Sequence, residues 1–498
     1  MTIDIDINQT YRHQYHLMPE RGWMNDPNGF SYFKGSYHLF YQHYPYDTQW
    51  GPMHWAHAVS TDLITWNHLP VALRPSEAYD RNGVFSGSAL QVGEEHWLYY
   101  TGHVDSHLDA HYDKELKKID PVNEVEGEPH IRQVQCLAKS SDGLTYIKYS
   151  GNPVINTDQV PLGIRLEDFR DPKVWQYDGR FYMVVGAKSE GHVGYVLFYE
   201  SDDGATWTYL NKLTLGREYG TVWECPDLFE LDGKYVLLFS PQEKYRVGNR
   251  YENIHSSMAL IGSFDHSSGT FSIESEQELD QGFDFYAPQT LLTPDGKRIM
   301  MAWMKMWDMN DPLHKQGHGW NGSMTLPREL SLRNGNLVQS PSQTITAYQK
   351  NRVDLGGFSL DGEYSIEYLN GKSQRIDVQI DMRESKRVTV SLFKGLRDNL
   401  KLILDRERNE LTLDRSHSEN RIENMGTKND YTRSATVDLA GKVKLSIFLD
   451  VSSMEVFVND GERVFTSLFY PHDQSDGVVL SSEGSVLVEG LTKWEIVR

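Results

Sequence analysis

A repeated pattern of short strands constrains the fold of the first two-thirds of this 498-residue chain. From Tyr11 to about Val338, each unit has a polar or acidic strand, a glycine hairpin into an apolar strand, and then a Ser-Asp-Gly type of turn. Self-similarity at a period of roughly 40–50 residues is typical of propeller blades. Five units are present, and they open at Asn25-Asp26-Pro27, Phe85-Ser86-Gly87-Ser88, Arg170-Asp171-Pro172, Glu224-Cys225-Pro226-Asp227 and Tyr286-Ala287-Pro288-Gln289.

This pattern predicts an all-β fold whose N-terminal domain, residues 1–337, is a five-bladed β-propeller. In such a propeller we expect the first strand of each blade to line the central channel. The motifs that open the blades then meet at one mouth of the channel. Residues far apart in the sequence would therefore share a single pocket.

The full length of 498 residues exceeds what one hydrophobic core usually supports, which predicts a second domain in the remainder of the chain. Residues 338–354 are polar and weakly patterned, and we interpret them as a linker. Residues 355–498 contain many short alternating strands separated by turns, which is typical of an antiparallel β-sandwich. The predicted strands include 375–380, 388–392, 400–404, 443–449, 454–458 and 477–480.

Composition narrows the classes of function. A formal net charge of -21 argues against binding to nucleic acid or to anionic membrane surfaces. No apolar run approaches the length of a membrane span, and residues 1–10 lack the basic start and apolar region of a secretory signal. The two cysteines, Cys136 and Cys225, form no disulfide framework. Together these features predict a cytoplasmic protein.

Three of the opening motifs combine an acid with a proline: Asp26-Pro27, Asp171-Pro172 and Glu224-Cys225-Pro226-Asp227. The candidate acids are Asp26, Asp171 and Glu224. We expect them at equivalent positions of three blades. Two carboxylates on either side of a scissile bond are the minimum for glycoside hydrolysis, and a third can hold ring hydroxyls and stabilise positive charge. Arg170 is expected to keep Asp171 ionised. Trp223 and Cys225 predict an apolar setting for Glu224, as suits a proton donor.

These motifs resemble the signatures of glycoside hydrolase family 32, which contains invertases, fructanases and sucrose-6-phosphate hydrolases. The resemblance rests on Trp23-Met24-Asn25-Asp26-Pro27-Asn28-Gly29, Phe169-Arg170-Asp171-Pro172 and Trp223-Glu224-Cys225-Pro226-Asp227. It extends over nearly the whole chain, to Ala302-Trp303-Met304 and, in the second domain, to 450–459. It implies a propeller followed by a β-sandwich, in agreement with the repeat pattern.

The resemblance also implies a retaining β-fructofuranosidase that cleaves sucrose, sucrose 6-phosphate or short fructo-oligosaccharides. Asp26 would be the nucleophile, Glu224 the acid and base, and Asp171 the stabiliser of the oxocarbenium-like state. The nucleophile and acid carboxyls would lie about 5–5.5 Å apart. No metal or organic cofactor is implied. Family positions that line the fructose pocket correspond to Asn25, Gln42, Trp50, Phe85, Ser86, Arg170, Tyr286 and Trp303, with Phe85 standing where many members have Trp.

Several alternatives remain open from the sequence. The same fold serves transfructosylases, and a propeller of this kind could bind fructosides without cleaving them. His103, His107 and His111 recur at helical spacing in the charged segment 102–133, which predicts either a metal site or a solvated loop. A phosphate on the leaving sugar would need a cation at the rim, for which Lys244, Arg246, Arg250 and Lys305 are available. A homo-oligomer formed through the sandwich is neither required nor excluded.

Overall fold

A computed structural model describes residues 7–106, 130–424 and 431–498. The first half of the described chain forms three four-stranded antiparallel blades. Blade one contains β1 (Gly22–Phe33), β2 (Ser36–Tyr44), β3 (His54–Ser60) and β4 (Asn67–Leu73). Blade two contains β5 (Gly83–Val92), β6 (Glu95–Asp105), β7 (Ile131–Ser140) and β8 (Ile147–Lys148). Blade three contains β9 (Ile164–Tyr177), β10 (Arg180–Ser189), β11 (Gly194–Ser201) and β12 (Thr208–Leu213).

Two further blades complete the predicted five-bladed propeller. Blade four contains β13 (Trp223–Leu231), β14 (Lys234–Pro241), β15 (Met258–Asp265) and β16 (Thr270–Glu278). The fifth region contains β17 (Tyr286–Leu292), β18 (Arg298–Trp303), β19 (Met309–Asn310), β20 (Trp320–Asn321), β21 (Arg328–Arg333) and β22 (Asn336–Pro341). Blade five is formed by β17, β18, β21 and β22, whereas β20 pairs in parallel with β1 and so links the last blade to the first.

Alternating residues of each strand supply the apolar cores between neighbouring blades. In β2, Leu39 packs with residues of blade five such as Leu291, while the next residue, Phe40, packs with residues of blade two such as Leu98. Successive side chains of a strand point to opposite faces, so one strand serves both interfaces. Buried clusters of the same kind join blades two and three, three and four, and four and five.

Local sequence chemistry explains the turns of the repeat. Four hairpins have two consecutive residues with positive φ, as a type I′ turn requires: Lys34-Gly35, Asp178-Gly179, Asp232-Gly233 and Asn334-Gly335. The serine turns of blades one to three share another pattern. In blade three, Ser201 Oγ accepts the Gly204 N–H at 2.9 Å, while Asp203 Oδ1 accepts the amides of Ala205 and Thr206. The repeated Ser and Asp therefore satisfy backbone donors at each turn.

The predicted second domain is a β-sandwich made from one ten-stranded sheet. The strands are β23 (Gln349–Ser365), β24 (Gln374–Asp381), β25 (Arg387–Lys394), β26 (Asn399–Asp405), β27 (Glu410–His417), β28 (Glu423–Asn424), β29 (Thr432–Thr436), β30 (Lys442–Asp450), β31 (Ser453–Val458), β32 (Arg463–Leu468) and β33 (Gly477–Ile496). All except β28, which pairs with β19 of the propeller, belong to this sheet. The long β33 pairs with β25 through its first part and with β24 through its second.

The segment between the two domains contains one short helix. β22 continues to Pro341, and β23 already begins at Gln349. Between them lies a 3-10 helix, Gln343–Tyr348, which Ser342 caps through its side chain. The remaining described helices are 3-10 turns at Thr157–Gln159, Arg217–Tyr219, Glu367–Leu369 and Met382–Glu384.

A buried ionic network holds the two domains together. Arg328 of β21 is fully buried and donates to Glu455 at 2.6 Å and to Asp280 at 3.0 Å. Glu455 also pairs with His16 Nε2 at 3.0 Å, and the other ring nitrogen of His16 pairs with Asp450 at 2.8 Å. Although burial alone would lower it, these two carboxylates raise the pKa of His16 to about 9. Each buried charge therefore has an opposite partner.

The structure describes the two ends of the segment 102–133, which was predicted to be an inserted loop with a histidine cluster. β6 extends to Asp105 and β7 begins at Ile131, so the ends of the predicted 102–133 loop are strands. His103 lies in β6, while His107 and His111 lie outside the described residues. In the described ranges, no helix has both the length and the apolar character needed to cross a membrane.

Candidate active site

Each blade begins with an irregular strand, and the acids lie at these irregularities. The register of the first strand against the second shifts around Asp26, Ser86, Asp171, Cys225 and Ala287. Bulges of this kind redirect side chains and are common beside active sites. The last three residues have left-handed φ values of 67°, 47° and 52°, and each directly precedes a proline.

Alignment on the proline corrects the expected equivalence of the three acids. Asp26 and Asp171 both directly precede a proline, but Glu224 lies one residue earlier and corresponds to Arg170, and these two are the last paired residues before their bulges. The residue at the Asp position of blade four is Cys225. The extra residue of each bulge allows Glu224 to face the cavity even though its place in the strand differs.

The three acids line one cavity of about 390 Å³ at the mouth of the channel. Nine of the eleven predicted site residues line it. They lie at or beside the bulges, on β2 or in the loop after β2: Asn25, Asp26, Gln42, Trp50, Phe85, Ser86, Arg170, Asp171 and Glu224. Tyr286 and Trp303 lie behind this lining and are fully buried.

Asp26 is buried and held through one of its two oxygens. Ser86 Oγ donates to Oδ2 at 2.7 Å, and the thiol of Cys225 lies 3.4 Å from the same oxygen. The other oxygen, Oδ1, is buried without a hydrogen-bond partner. Burial, followed by the charge of Glu224, raises the pKa of Asp26. One carboxylate oxygen is thus fixed by two contacts, whereas the other has no hydrogen-bond partner.

Asp171 is also buried, and its environment differs from the prediction. Its Oδ2 accepts the backbone N–H of Cys225 at 2.9 Å and lies 4.0 Å from Nε of Arg170. Burial raises the pKa of Asp171 to about 7, with further contributions from the charges of Glu224 and Asp26 that Arg170 only partly offsets. Arg170 favours the ionised form of Asp171, as the sequence predicted, but desolvation outweighs the guanidinium and the pKa stays above its ordinary value.

Glu224 lies in a polar setting rather than the predicted apolar one. Its Oε1 accepts from Nε and Nη2 of Arg170 at 3.2 and 2.8 Å, and its Oε2 accepts from the Tyr286 hydroxyl at 2.5 Å. Tyr286 thus reaches the acid from blade five although it does not line the cavity. Arg170 also donates to Asp168 at 2.9 Å. The wrong inference came from the neighbours of Glu224 in the sequence, which are not its neighbours in space.

Cys225 is a site residue that the sequence interpretation missed. Its thiol lies within 3.6 Å of both Asp26 and Asp171, between the two carboxylates. Burial raises the pKa of this thiol well above its usual value, so it remains protonated and can donate. The signal was available, because Cys225 occupies the position before the proline that holds an aspartate in two other blades.

Aromatic rings form the walls of the cavity. Trp50, 44% exposed, meets Phe85 edge-on at 6.0 Å, and Phe85 stacks on His103 at 4.1 Å. Burial lowers the pKa of His103 to about 4, so its ring is neutral at pH 7. The wall predicted at Phe85 is therefore apolar. Further lining residues that the sequence interpretation did not single out for the cavity are His103, Asp105, Ile131, Gln133, Glu167, Asp168, Gln242 and Trp307.

A possible metal cluster lies away from this cavity. Among the described residues, His13, His16 and Asp450 bring three ligand atoms within 4.8 Å of one another. They belong to the interface between the domains. Both ring nitrogens of His16 already pair with carboxylates there, so hydrogen bonding accounts for the arrangement without an ion.

Comparison with known protein families decides the identity of this site. The sequence profile of the glycosyl hydrolases family 32 N-terminal domain matches residues 16–341, and that of the family 32 C-terminal domain matches residues 334–495. The chain belongs to glycosyl hydrolase family 32. The two matched regions correspond to the propeller and the sandwich, and the predicted family is confirmed.

Individual family 32 proteins are similar over nearly the full chain. A sucrose-6-phosphate hydrolase of Escherichia coli is 37% identical and covers 98% of this chain and 95% of its own length. A raffinose invertase of Escherichia coli is also 37% identical, covering 96% and 94%. The structure resembles a family 32 β-fructofuranosidase of Bombyx mori with a TM-score of 0.82 and 36% identity, covering 99% and 95%. A variant of the Bombyx mori enzyme has been solved with sucrose.

Proposed function

We propose that this family 32 enzyme hydrolyses terminal β-D-fructofuranosyl linkages of sucrose-type substrates with retention, through a covalent fructosyl-enzyme. The observation that carries the proposal is the meeting of Asp26, Asp171 and Glu224 in one cavity, although 198 residues of sequence separate the first from the last. Two carboxyl groups and a third stabilising acid are the groups that this double displacement requires.

Asp26 acts as the nucleophile. Its Oδ1 attacks the anomeric carbon of fructose, and the bond from that carbon to the leaving oxygen breaks as the ester bond forms. The hydrogen bonds from Ser86 and Cys225 to Oδ2 orient the carboxylate without occupying the attacking oxygen. A nucleophile held in this way needs little rearrangement before it reacts.

Glu224 acts first as the acid and then as the base. It transfers a proton to the leaving oxygen in the first step, and in the second it takes a proton from the water that attacks the ester. Arg170 and Tyr286 hold its two oxygens from different blades, so the carboxyl group keeps one orientation through both steps.

Asp171 and the aromatic walls complete the fructose site. Asp171 accepts sugar hydroxyls and stabilises the positive charge that develops on the ring. Asn25, Gln42 and Ser86 offer further polar contacts, and Trp50 and Phe85 cover the apolar faces of the sugar. Tyr286 and Trp303 support this lining from behind.

A direct experiment tests the proposal with purified protein and sucrose. We expect release of glucose and fructose in equal amounts and, by NMR of the first turnover, fructose of the same anomeric configuration as the substrate. A fructose product of inverted configuration would contradict the assigned roles. Formation of new oligosaccharides at high sucrose concentration, with little free fructose, would indicate a transfructosylase instead.

Two further proposals concern the whole chain. We propose that the propeller extends from the first strand to Pro341 and that 342–348 connects it to the sandwich, as the strand bounds support. We also propose a cytoplasmic location, because both cysteines are buried and unpaired, as is usual in a reducing compartment.

A further inference from the structure

The central channel of the propeller ends, away from the active site, in a second cavity of about 330 Å³. The first strands of all five blades line it, at residues 30–32, 89–91, 173–177, 228–230 and 290–292. In every blade these residues follow the bulge on which the active site is built. No described residue lines both cavities, and no residue next to an undescribed segment lines this one. We call it the distal cavity.

Buried contacts cross the channel between the active site and the distal cavity. Gln289 of blade five is buried, and its Nε2 donates to the carbonyl of Gly87 in blade two at 2.6 Å. Lys173 of blade three donates to the carbonyl of Thr290 in blade five at 3.0 Å. Neither pair belongs to neighbouring blades, so both contacts span the channel. A ligand in the distal cavity would therefore be separate from a substrate in the active site.

Arg298 lines the distal cavity with a guanidinium that lacks an acidic partner. It lies over the ring of Phe229, 4.6 Å from the centroid, and its Nε is buried without a hydrogen-bond partner. Within the described ranges, no residue accepts a hydrogen bond from Arg298 or forms an ion pair with it. Burial lowers the pKa of Arg298 although the charge of Asp227 opposes this, yet an arginine stays protonated at neutral pH. A partly desolvated charge without a partner favours a bound anion.

Lys173 brings a second cation to the same cavity from blade three. Its Nζ donates to Asp227 Oδ2 at 3.1 Å and to the carbonyl of Thr290, and Asp227 Oδ2 also accepts the N–H of Thr290 at 2.7 Å. An ammonium group has three donors, so one of them remains available. Asp227 does not line the cavity, and it balances the charge of Lys173. The charge that is left without a counterion is therefore that of Arg298.

Glu230 is the single acid among the described residues that line the distal cavity, and it is exposed to solvent. Together with Asp227, it makes the formal charge around the cavity zero. The two signs are separated in space, however, because water and salt screen the exposed Glu230, whereas Arg298 is partly buried. The inner part of the cavity is therefore positive.

We propose that the distal cavity binds a phosphate group, either free or carried by a small molecule, between Arg298 and Lys173. The planar guanidinium can donate two parallel hydrogen bonds to two phosphate oxygens, and the available donor of Lys173 can reach a further oxygen. A volume of about 330 Å³ is within the range of small-molecule sites, so an organic group also has room. Bound phosphate would link blades three and five, and this site does not depend on the proposed function.

Isothermal titration calorimetry of the full chain with sodium phosphate at pH 7 tests the site, with sodium chloride at the same ionic strength as the blank. We expect saturable binding of one phosphate with a Kd of about 1 mM or lower. At about ten times that concentration, the midpoint of thermal unfolding should rise by about 2 °C. Glycerol phosphate identifies the source of the group. Binding about tenfold tighter than inorganic phosphate would indicate an organic phosphate, and equal or weaker binding would indicate the free ion.

Variants locate the binding. Arg298→Gln should weaken phosphate binding by about tenfold or more, and Arg298→Lys, which keeps the charge but loses the planar fork, should weaken it less. Arg333→Gln removes the same charge from a side chain of blade five that is 48% exposed, and it should bind phosphate as the wild type does. Glu230→Gln should strengthen binding by about twofold, because it removes the acid at the cavity surface. All four variants should keep the wild-type kcat/KM for sucrose.

Three results would overturn the proposal. The first is a wild-type titration without saturable binding of either phosphate. The second is wild-type affinity in an Arg298→Gln protein whose unfolding transition shows that it is folded. The third is an equal loss of affinity in Arg298→Gln and Arg333→Gln, which would indicate binding to surface charge in general. Phosphate also stabilises folded proteins by exclusion from their surface, so a rise in the unfolding midpoint supports the site only where Arg298→Gln lacks it.

Discussion

Arg170 donates two hydrogen bonds to a single oxygen of Glu224, from Nε at 3.2 Å and from Nη2 at 2.8 Å. The other oxygen of Glu224 accepts from Tyr286 at 2.5 Å. Glu224 belongs to blade four, whereas its two partners belong to blades three and five. The orientation of this carboxyl group therefore depends on the assembly of three blades, and no single blade can supply it.

Replacing Asp26 tests the nucleophile. We expect Asp26→Asn to lower kcat on sucrose by at least about 10⁴-fold, since the attacking oxygen is lost. The midpoint of thermal unfolding should stay the same or rise, because a buried carboxylate with one unpaired oxygen is itself costly. Asp295→Asn, in an exposed turn of blade five, is the matched control and should keep full activity. Wild-type turnover by Asp26→Asn would refute the assignment.

Replacing Glu224 tests the proton donor. Glu224→Gln should lower the rate of fructosyl transfer from sucrose by about 10²- to 10⁴-fold. The loss should be much smaller for fructosyl fluoride, whose leaving group needs no proton, when formation of the fructosyl-enzyme is followed by pre-steady-state kinetics. An equal loss on both substrates would contradict the role of Glu224 as acid.

Ser86 is expected to support the ionised form of Asp26. Ser86→Ala removes a hydrogen bond of 2.7 Å to Oδ2, so the pKa of Asp26 should rise further. The acid limb of the pH profile of kcat/KM should then move to higher pH. Ser86→Thr keeps the hydroxyl and should restore the wild-type limb. A fall in rate without a change of the pH profile would indicate a packing role for Ser86 instead.

Asp171 should destabilise the fold at neutral and alkaline pH. Its pKa is raised to about 7 in the folded state from 3.8, so the protonated form is favoured on folding. Its contribution is fully favourable below pH 4 and is lost as the pH rises to about 7. Asp171→Asn mimics the protonated form and also tolerates the left-handed φ of 67°. The change in unfolding free energy caused by this variant should be more favourable at pH 8 than at pH 4, by up to about 4 kcal/mol.

Chemical denaturation of wild type and Asp171→Asn at both pH values measures that difference. Asp171→Ala, which tolerates the left-handed conformation poorly, should be less stable than Asp171→Asn at both pH values. An Asp171→Asn effect that is the same at pH 4 and pH 8 would show that Asp171 is not protonated on folding.

His16 should stabilise the joint between the domains in its charged form. Its pKa is raised from 6.5 to about 9, so its contribution is complete below pH 6.5 and disappears as the pH passes 9. The shift corresponds to about 3 kcal/mol. His16→Asn should therefore lower the unfolding free energy more at pH 6 than at pH 10.

A buried neutral histidine provides the control for His16. Burial lowers the pKa of His57 to about 2, so its ring carries no charge over this range. In the unfolded state this histidine still binds a proton near pH 6.5, so His57→Asn should be less destabilising at pH 6 than at pH 10 by about 1 kcal/mol, which is the opposite sign to His16→Asn. A His16→Asn effect that is independent of pH, or that has the sign of His57→Asn, would contradict a charged His16.

The sequence by itself determined the propeller, the sandwich and the family. Turn pairs such as Asn334-Gly335 and the alternation of residues such as Leu39 and Phe40 are local properties, because hairpin geometry and the two faces of a strand depend on neighbouring residues. The acids Asp26, Asp171 and Glu224 could be identified as candidate site residues from the sequence for the same reason, because each belongs to a short motif at the start of a blade.

Tertiary structure alone decided the environment of each acid. The sequence suggested that Arg170 acts on the ionisation of Asp171 and that Trp223 gives Glu224 an apolar setting. In the fold, Arg170 donates hydrogen bonds to Glu224. The bulges explain the difference, because an extra residue in a strand redirects the side chains that follow it. Protonation depends on burial and on distances across blades, and neither quantity is a property of adjacent residues.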